Sequence, residues 1–221
     1  MIDFNKRKIY TIDNFIPTSY QDYLHKKYTC NSWWYLDGLD RDTSYPDYEK
    51  QCMFIDPDNP ILDNVEEHFQ LVFETYHGAR NIFREGDLNP LFLIHYLEVH
   101  SNFLFKLYPQ RTKINLQPNN PNFKETSHNA PHVDMGEYNP QHWTMIYYIK
   151  DSDGDTLIFK EKLNDIPVKN FTIDEKVSPK KGRAVIFPGD RFHCGTTPII
   201  SKARMVANIN FTVEFHKFKV D

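Results

Sequence analysis

At 221 residues, with 40% hydrophobic and 15% aromatic residues, the chain is long enough for one well-filled domain and is not of disordered composition. A formal net charge of -4 argues against a broad sequence-independent nucleic-acid surface, and the charged N-terminus, Met1 to Tyr10, has no apolar signal core. No run approaches the roughly 18 apolar residues of a membrane span, and Cys30, Cys52 and Cys194 show no CxxC spacing, so a reducing, cytoplasmic setting is expected.

Thr18 is a candidate N-cap, after which Tyr20, Tyr23, Leu24 and Tyr28 recur at helical spacing. From Trp33 to Asp58 the pattern dissolves into Asp, Tyr, Pro and Gly. A loop of that length either folds over an active-site mouth or is a surface loop pinned by Trp33 and Trp34. Asn59-Pro60 then predicts a helix start, with Ile61, Leu62, Val65, Phe69, Val72, Phe73 and Tyr76 as its apolar stripe and Gly78 as its stop. Leu91 to His100 is apolar enough for strand or helix, and periodicity does not separate the two.

From Phe103 the period changes to two. Phe103, Phe105 and Leu107, followed by Arg111, Lys113, Asn115 and Gln117, predict a strand with a polar row on one face. Such a row is costly in a dry core and sensible in a ligand-filled barrel. Gln141 to Lys150 reads as a strand apolar on both faces, and Asp151-Ser152-Asp153-Gly154 as a turn joining it to Thr156-Leu157-Ile158-Phe159 in a hairpin. Strands follow at Phe171–Val177 and Arg183–Phe187. Lys176, Lys180, Lys181 and Arg183 read as a solvated strand edge and turn. The last strand sets Met205, Ala207, Ile209, Phe211, Val213 and Phe215 on one face, to pack under helices. Arg204, Val206, Asn208 and Asn210 fall on the other face, to line a pocket. The fold class expected is mainly β with N-terminal helices, a sandwich or barrel backed by helices.

Chemistry concentrates in Pro131-His132-Val133-Asp134 and in Gly189-Asp190-Arg191-Phe192-His193. On an extended strand His132 and Asp134 project to the same side, and His193 on a returning strand supplies a third donor. Two imidazoles and one carboxylate with open positions suit non-haem Fe(II) in oxygen-activating enzymes. Arg204, opening the last strand, offers a two-pronged grip on a dicarboxylate. Cys194 points to the face opposite His193 and reads as a packed residue.

These segments, with Thr144-Met145-Ile146-Tyr147-Tyr148-Ile149-Lys150, Asp153-Gly154-Asp155-Thr156-Leu157-Ile158-Phe159 and Pro179-Lys180-Lys181-Gly182-Arg183-Ala184-Val185-Ile186-Phe187, resemble the 2-oxoglutarate/Fe(II)-dependent dioxygenases. The resemblance is to the prolyl 4-hydroxylase-like group, including its small bacterial and marine-phage versions, and spans Lys106 to Phe215. It implies a double-stranded β-helix, or cupin-like jelly roll, over residues 103-216. Residues 1-102 would be a helical and loop support within a single domain, 1-221. It implies His132, Asp134 and His193 as iron ligands and Arg204 on the C5 carboxylate of 2-oxoglutarate. Tyr148 would donate to the same carboxylate, unless it is a core tyrosine bonded to a backbone carbonyl. Thr144 is a further cofactor-side candidate. Where relatives carry a tyrosine on the first barrel strand, this chain offers Asn115 or Gln117.

The activity so implied is hydroxylation of a C–H bond, on a peptidyl proline, another amino-acid residue or a small molecule. Fe(II), 2-oxoglutarate and O2 would be required, ascorbate is a candidate reductant, and succinate and CO2 would be released. Two alternatives are a nucleic-acid base demethylase of the same superfamily and a non-catalytic cupin-like metal-binding protein. The expected partner is a peptide, protein or small-molecule substrate, neither membrane nor nucleic acid. No heptad or unassigned apolar stripe indicates an oligomeric state. Residues 33-58, 118-130 and Asp190 to Phe192 are expected to govern access, with Trp33, Trp34, Tyr45 and Trp143 as a candidate aromatic substrate wall.

Overall fold

Two long strands, Phe105–Pro118 and Ala203–Phe215, pair antiparallel from Ala203↔Pro118 to Phe215↔Phe105 and form the spine of the molecule. The structure is a computed structural model and describes residues 1–29, 34–37, 69–77, 82–83, 89–120, 128–135 and 139–215. In chain order its elements are β1 (Tyr10–Ile12), α1 (Thr18–Thr29), β2 (Trp34–Asp37), β3 (Phe69–His77), β4 (Ile82–Phe83) and α2 (Asn89–His100). There follow β5 (Phe105–Pro118), β6 (His142–Tyr148), β7 (Thr156–Lys162), β8 (Ile173–Val177), β9 (Ala184–Pro188), β10 (Arg191–Gly195) and β11 (Ala203–Phe215). Short 3-10 turns stand at Phe4–Lys6 and Leu163–Asp165.

An eight-stranded sheet runs β1-β9-β6-β11-β5-β3-β2, with β4 on β3, and a three-stranded sheet runs β10-β7-β8. From β6 onward the chain passes back and forth between the two sheets, which is the winding of a jelly roll. Their inner faces meet where Ile146, Tyr148, Val185, Phe187 and Val206 of the large sheet pack on Ile158 and Val177 of the small one.

The outer face of the large sheet carries the main core. Trp143, Met145, Tyr147, Met205, Ala207, Ile209 and Phe211 pack there with Leu24 and Tyr28 of α1 and Leu93 and Leu97 of α2. The face assignment along β11 read from period-two alternation is the one the structure shows. Leu97 is fully buried, and burial of a leucine side chain contributes roughly 1.5–3 kcal/mol. Segment 91–100 is helical. Its ambiguity has a cause in the sequence, since apolar side chains surround the helix, with Leu93 and Leu97 buried and Phe92 and Val99 exposed.

Several expectations are corrected. The helix read from Asn59 to Gly78 is not formed over Phe69–His77, which is strand β3, paired through Leu71↔Leu116 and Phe73↔Ile114 with β5; residues 59–68 lie outside the described residues. Phe69, Leu71 and Phe73 also alternate with period two, and an aromatic and β-branched run next to a free strand edge is better served by a sheet ladder than by a helix. Strands β6 and β7 are not a hairpin, because β6 pairs with β11 and β9 while β7 pairs with β10 and β8. The Asp151–Gly154 turn is therefore a crossing between sheets. Trp143 is a core residue against Phe4, not a substrate wall, and Trp33, Tyr45 and the side chain of Trp34 lie outside the described residues. At the suspected access segment, Asp190 is buried in an ion pair with Arg7 at 2.9 Å, and Phe192 packs with Val133 and Phe159.

The cationic cluster is committed to carboxylates. Lys180 and Arg183 meet Asp13, Lys181 meets Asp22, and Lys176 meets Asp155. The contacts to Asp13 and Asp22 dock the N-terminal segment on the β8–β9 turn. Gly182 at that turn has φ +81, and a Cβ there would run into the Gln21 amide, so glycine is required by both backbone and packing. Among the described residues no helix is long and apolar enough to cross a membrane.

Asp153 fastens the sheet crossing to the approach of β11, accepting hydrogen bonds from the backbone N–H groups of Ile199, Ile200 and Ser201, each at 2.8 Å. Burial opposes its charge, yet these three donors hold its carboxyl down at about 2. A carboxylate with a depressed folded pKa contributes stability above its unfolded value, near 3.9, and loses that contribution as pH falls through the folded value. Asp153→Asn is accordingly expected to flatten the loss of stability between about pH 4 and pH 2, read from urea midpoints across that window. An unchanged acid limb would remove Asp153 from the account.

Candidate metal and cosubstrate site

A single bridge creates the constellation. The His132 N–H donates to the His193 carbonyl at 3.0 Å and the His193 N–H to the His132 carbonyl at 2.9 Å, and with the Asn129 N–H donating to the Gly195 carbonyl at 3.0 Å this joins an irregular segment to β10. Side chains of such a pair rise on the same side, and the two imidazole rings lie 4.7 Å apart. Asp134, two residues on, turns to the same side. Donor atoms of His132, Asp134 and His193 lie within 4.8 Å of one another.

Both histidines place Nδ1 against a backbone carbonyl, Ala130 at 3.0 Å for His132 and Arg191 at 3.2 Å for His193. Each contact assigns the Nδ1 proton and turns the Nε2 lone pair inward, the tautomer a metal requires. Among the described residues His193 Nε2 is buried without a hydrogen-bond partner, and it stands 3.4 Å from Asp134 Oδ2, out of line to donate to it. Two inward nitrogens and a buried carboxylate make a donor set that a divalent cation fits, and Fe(II) suits two imidazoles plus one carboxylate. Burial works against the Asp134 charge, but in the metal-free protein His193, when it is protonated, with Lys113 and a protonated His132 beside it, holds the carboxyl well below its usual range.

Asp134 is further held by side chains of the large sheet. Asn210 Nδ2 donates to Oδ2 at 2.9 Å, Thr144 Oγ1 donates to Oδ2 at 3.3 Å, and Asn208 Nδ2 reaches Oδ1 at 3.2 Å. Thr144, expected beside the cosubstrate carboxylate, stands instead at the metal end of β6, opposite Asn210 in the ladder.

Arg204 occupies the other end of the same inner face. Its Nε donates to the Gly154 carbonyl at 2.9 Å and its Nη2 to Thr156 Oγ1 at 2.8 Å, while the Tyr148 hydroxyl donates to that same Oγ1 at 2.7 Å. Burial pushes the Tyr148 phenol up to about 12 despite the opposing guanidinium, so it stays a donor. Burial also lowers the Arg204 pKa. A Cβ on Gly154 would come within 3.0 Å of Arg204 Cδ and 2.7 Å of the Thr196 carbonyl, so glycine there admits the arginine. Of the two first-strand candidates, Gln117 is engaged with Thr197 at 2.8 Å, and Asn115 is buried with Oδ1 unpartnered among the described residues. Cys194 faces away, packed with Leu157 and Phe159.

Thr156 is the residue that sequence reasoning missed here. It sits inside a quoted strand motif, but its role depends on two partners from other strands, Tyr148 and Arg204. Asn208 and Asn210 were legible only as pocket lining.

The profile of the 2OG-Fe(II) oxygenase superfamily matches residues 119–212, a stretch containing His132, Asp134, His193 and Arg204. That stretch is similar to a 2OG-Fe(II) oxygenase core. Enzymes of this family use Fe(II), 2-oxoglutarate and O2. No curated protein matches the sequence. Among solved structures, the chain is similar to a 2OG-Fe(II) oxygenase-family oxidoreductase from Burkholderia pseudomallei, with 10% identity, TM-score 0.57, and coverage of 92% of this chain and 84% of that one. A prolyl hydroxylase from Trichoplax adhaerens, in complex with a hypoxia inducible factor peptide fragment, is similar with 11% identity, TM-score 0.52, and coverage of 95% and 85%. A prolyl-4-hydroxylase from Pseudomonas putida is similar with 11% identity, TM-score 0.50, and coverage of 95% of each chain. At these identities the likeness concerns the fold.

Proposed function

We propose that the chain is a 2-oxoglutarate-dependent hydroxylase in which His132, Asp134 and His193 hold Fe(II) and Arg204 and Tyr148 hold the cosubstrate. The observation that carries this reading is the inward-turned His132–Asp134–His193 set, which meets Asn208 and Asn210 of β11, together with the buried Arg204 guanidinium near the start of that strand. Iron with 2-oxoglutarate and O2, when bound, supplies the oxidising power to hydroxylate a C–H bond with release of succinate and CO2. The side chains bind and orient. Arg204 and the protonated Tyr148 give a dicarboxylate a charged and a neutral donor, with Thr156 between them. Val206, Ile146 and Phe187 keep the surroundings apolar, which strengthens those contacts by excluding water.

The substrate class we favour is a peptide, with a prolyl residue as the first candidate. Support comes from the two similar prolyl hydroxylase structures, one of them described with a peptide fragment. The test is succinate formation by the Fe(II)-loaded protein, with and without a set of prolyl and non-prolyl peptides. Stimulation by prolyl peptides, with a mass gain of one oxygen, is expected. Iron-dependent turnover stimulated only by small molecules would overturn the peptide reading. A protein that binds iron and never makes succinate would overturn the hydroxylase reading.

A further inference from the structure

The iron-holding carboxylate sits on the least supported backbone of the site. His132 makes one isolated bridge and Asp134 lies in a bend beyond it, outside any strand. Its side chain is nevertheless almost fully buried and receives donors from the two central strands of the large sheet. We infer that Thr144, Asn208 and Asn210 form a clamp that fixes the orientation of the Asp134 carboxylate and thereby sets the affinity of the metal site. This rests on the metal-binding role proposed above for Asp134.

The amide geometry favours a dedicated clamp over incidental packing. A carboxylate accepts and cannot donate, so the Asn208 and Asn210 amides must present nitrogen to Asp134. Asn210 Nδ2 bridges Asp134 Oδ2 and Thr144 Oγ1, at 2.9 and 3.1 Å, and the Thr144 hydroxyl passes its own proton on to Oδ2 at 3.3 Å. Asn208 Nδ2 spans both oxygens at 3.2 and 3.3 Å. This orientation leaves Oδ1 of both asparagines buried without a partner among the described residues. A core chosen for stability alone would place apolar residues at two such positions, since leaving buried acceptors unpaired is destabilising. What the arrangement gains is a carboxylate held from three directions by rigid strands. Partners of this kind orient a metal ligand and limit its conformational freedom before the ion arrives.

The test uses Mn(II) alone as a redox-inert probe of the full chain, titrated calorimetrically, with thermal unfolding of the metal-free protein recorded in parallel. Thr144→Val removes the hydroxyl at nearly constant shape, Thr144→Ser retains it, and Asn210→Leu removes the amide at similar volume. The expected result is Mn(II) binding about 10- to 100-fold weaker in Thr144→Val and Asn210→Leu, with Thr144→Ser close to wild type and metal-free melting not lowered in parallel. Wild-type affinity in Thr144→Val would overturn the clamp while leaving the metal site standing. A wild-type protein that does not bind Mn(II) would overturn the metal role itself, and the clamp with it. Loss of affinity in Thr144→Val and Thr144→Ser alike would also overturn it, because the hydroxyl would not be the operative group.

Discussion

Asp134→Asn is expected to leave a folded protein that neither retains Mn(II) at micromolar concentrations nor forms succinate above a protein-free iron control. The substitution keeps the shape of the side chain and removes the one anionic donor among the three residues whose donor atoms converge within 4.8 Å. A structural zinc site of four ligands binds with roughly 10–16 kcal/mol, about 3 kcal/mol per ligand, so one charged ligand is worth on the order of 100-fold or more in affinity. The fold should survive, because the metal-free protein already tolerates this anion in a buried position where desolvation opposes it. The amide introduced by the substitution can also still accept from Asn210 and Thr144 through its one oxygen. The checks are a Mn(II) titration, a succinate assay and a melting curve. Wild-type metal affinity in Asp134→Asn would remove Asp134 from the site and leave the two histidines without a carboxylate partner.

Two kinds of information separate what was legible in the sequence from what was not. The spacing of His132 and Asp134 and the alternation from Ala203 to Phe215 are local facts. A strand whose odd positions are apolar and whose even positions carry Arg204, Asn208 and Asn210 must turn one row to a core and the other to a pocket. The structure shows those two faces. Where local pattern serves two elements equally, reading fails. Phe69, Phe73 and Tyr76 lie on one face of a helix, whereas Phe69, Leu71 and Phe73 alternate as a strand, and the edge of β5 decides between them. An Asp-Gly turn after an apolar strand suggests a hairpin, yet here the turn carries the chain from one sheet to the other.

The same distinction applies within the site. Thr144 and Tyr148 share a face of β6, so sequence reasoning grouped them. They are nevertheless four residues apart, about 13 Å along the strand, and serve opposite ends of the pocket. One hydroxyl meets Asp134 and the other meets Thr156. Thr156 carried no signal because its chemistry comes from Arg204 and Tyr148, which are brought to it only by the packing of the small sheet on the large one. The N-terminal section, read as helical support, also contributes β1 to one end of the large sheet and β2, β3 and β4 to the other. That contribution required partners no local pattern names.

Arg204→Leu is expected to raise the KM for 2-oxoglutarate by at least about 30-fold while leaving Mn(II) affinity within a few-fold of wild type. Truncating one member of a buried, hydrogen-bonded charge pair typically costs about 2–5 kcal/mol, which is roughly 30-fold to several thousand-fold. The guanidinium is buried among Gly154, Thr156 and Tyr148, at the end of the face opposite the metal donors, so the two ends can fail separately. Tyr148→Phe should cost less, on the order of 10-fold, since it removes a neutral donor and leaves the charge in place. The two substitutions should combine less than additively, because both side chains lean on the same Thr156 hydroxyl. Steady-state succinate formation against 2-oxoglutarate concentration, set beside a metal titration of each variant, reads all of these. If Arg204→Leu left the cosubstrate KM unchanged, the dicarboxylate would not be held at the Tyr148–Thr156–Arg204 end, and the inner face of β11 would have no proposed ligand beyond the metal. If Mn(II) affinity fell together with cosubstrate affinity, the arginine would be supporting the whole barrel interior through packing, and the separation of the two ends would be wrong.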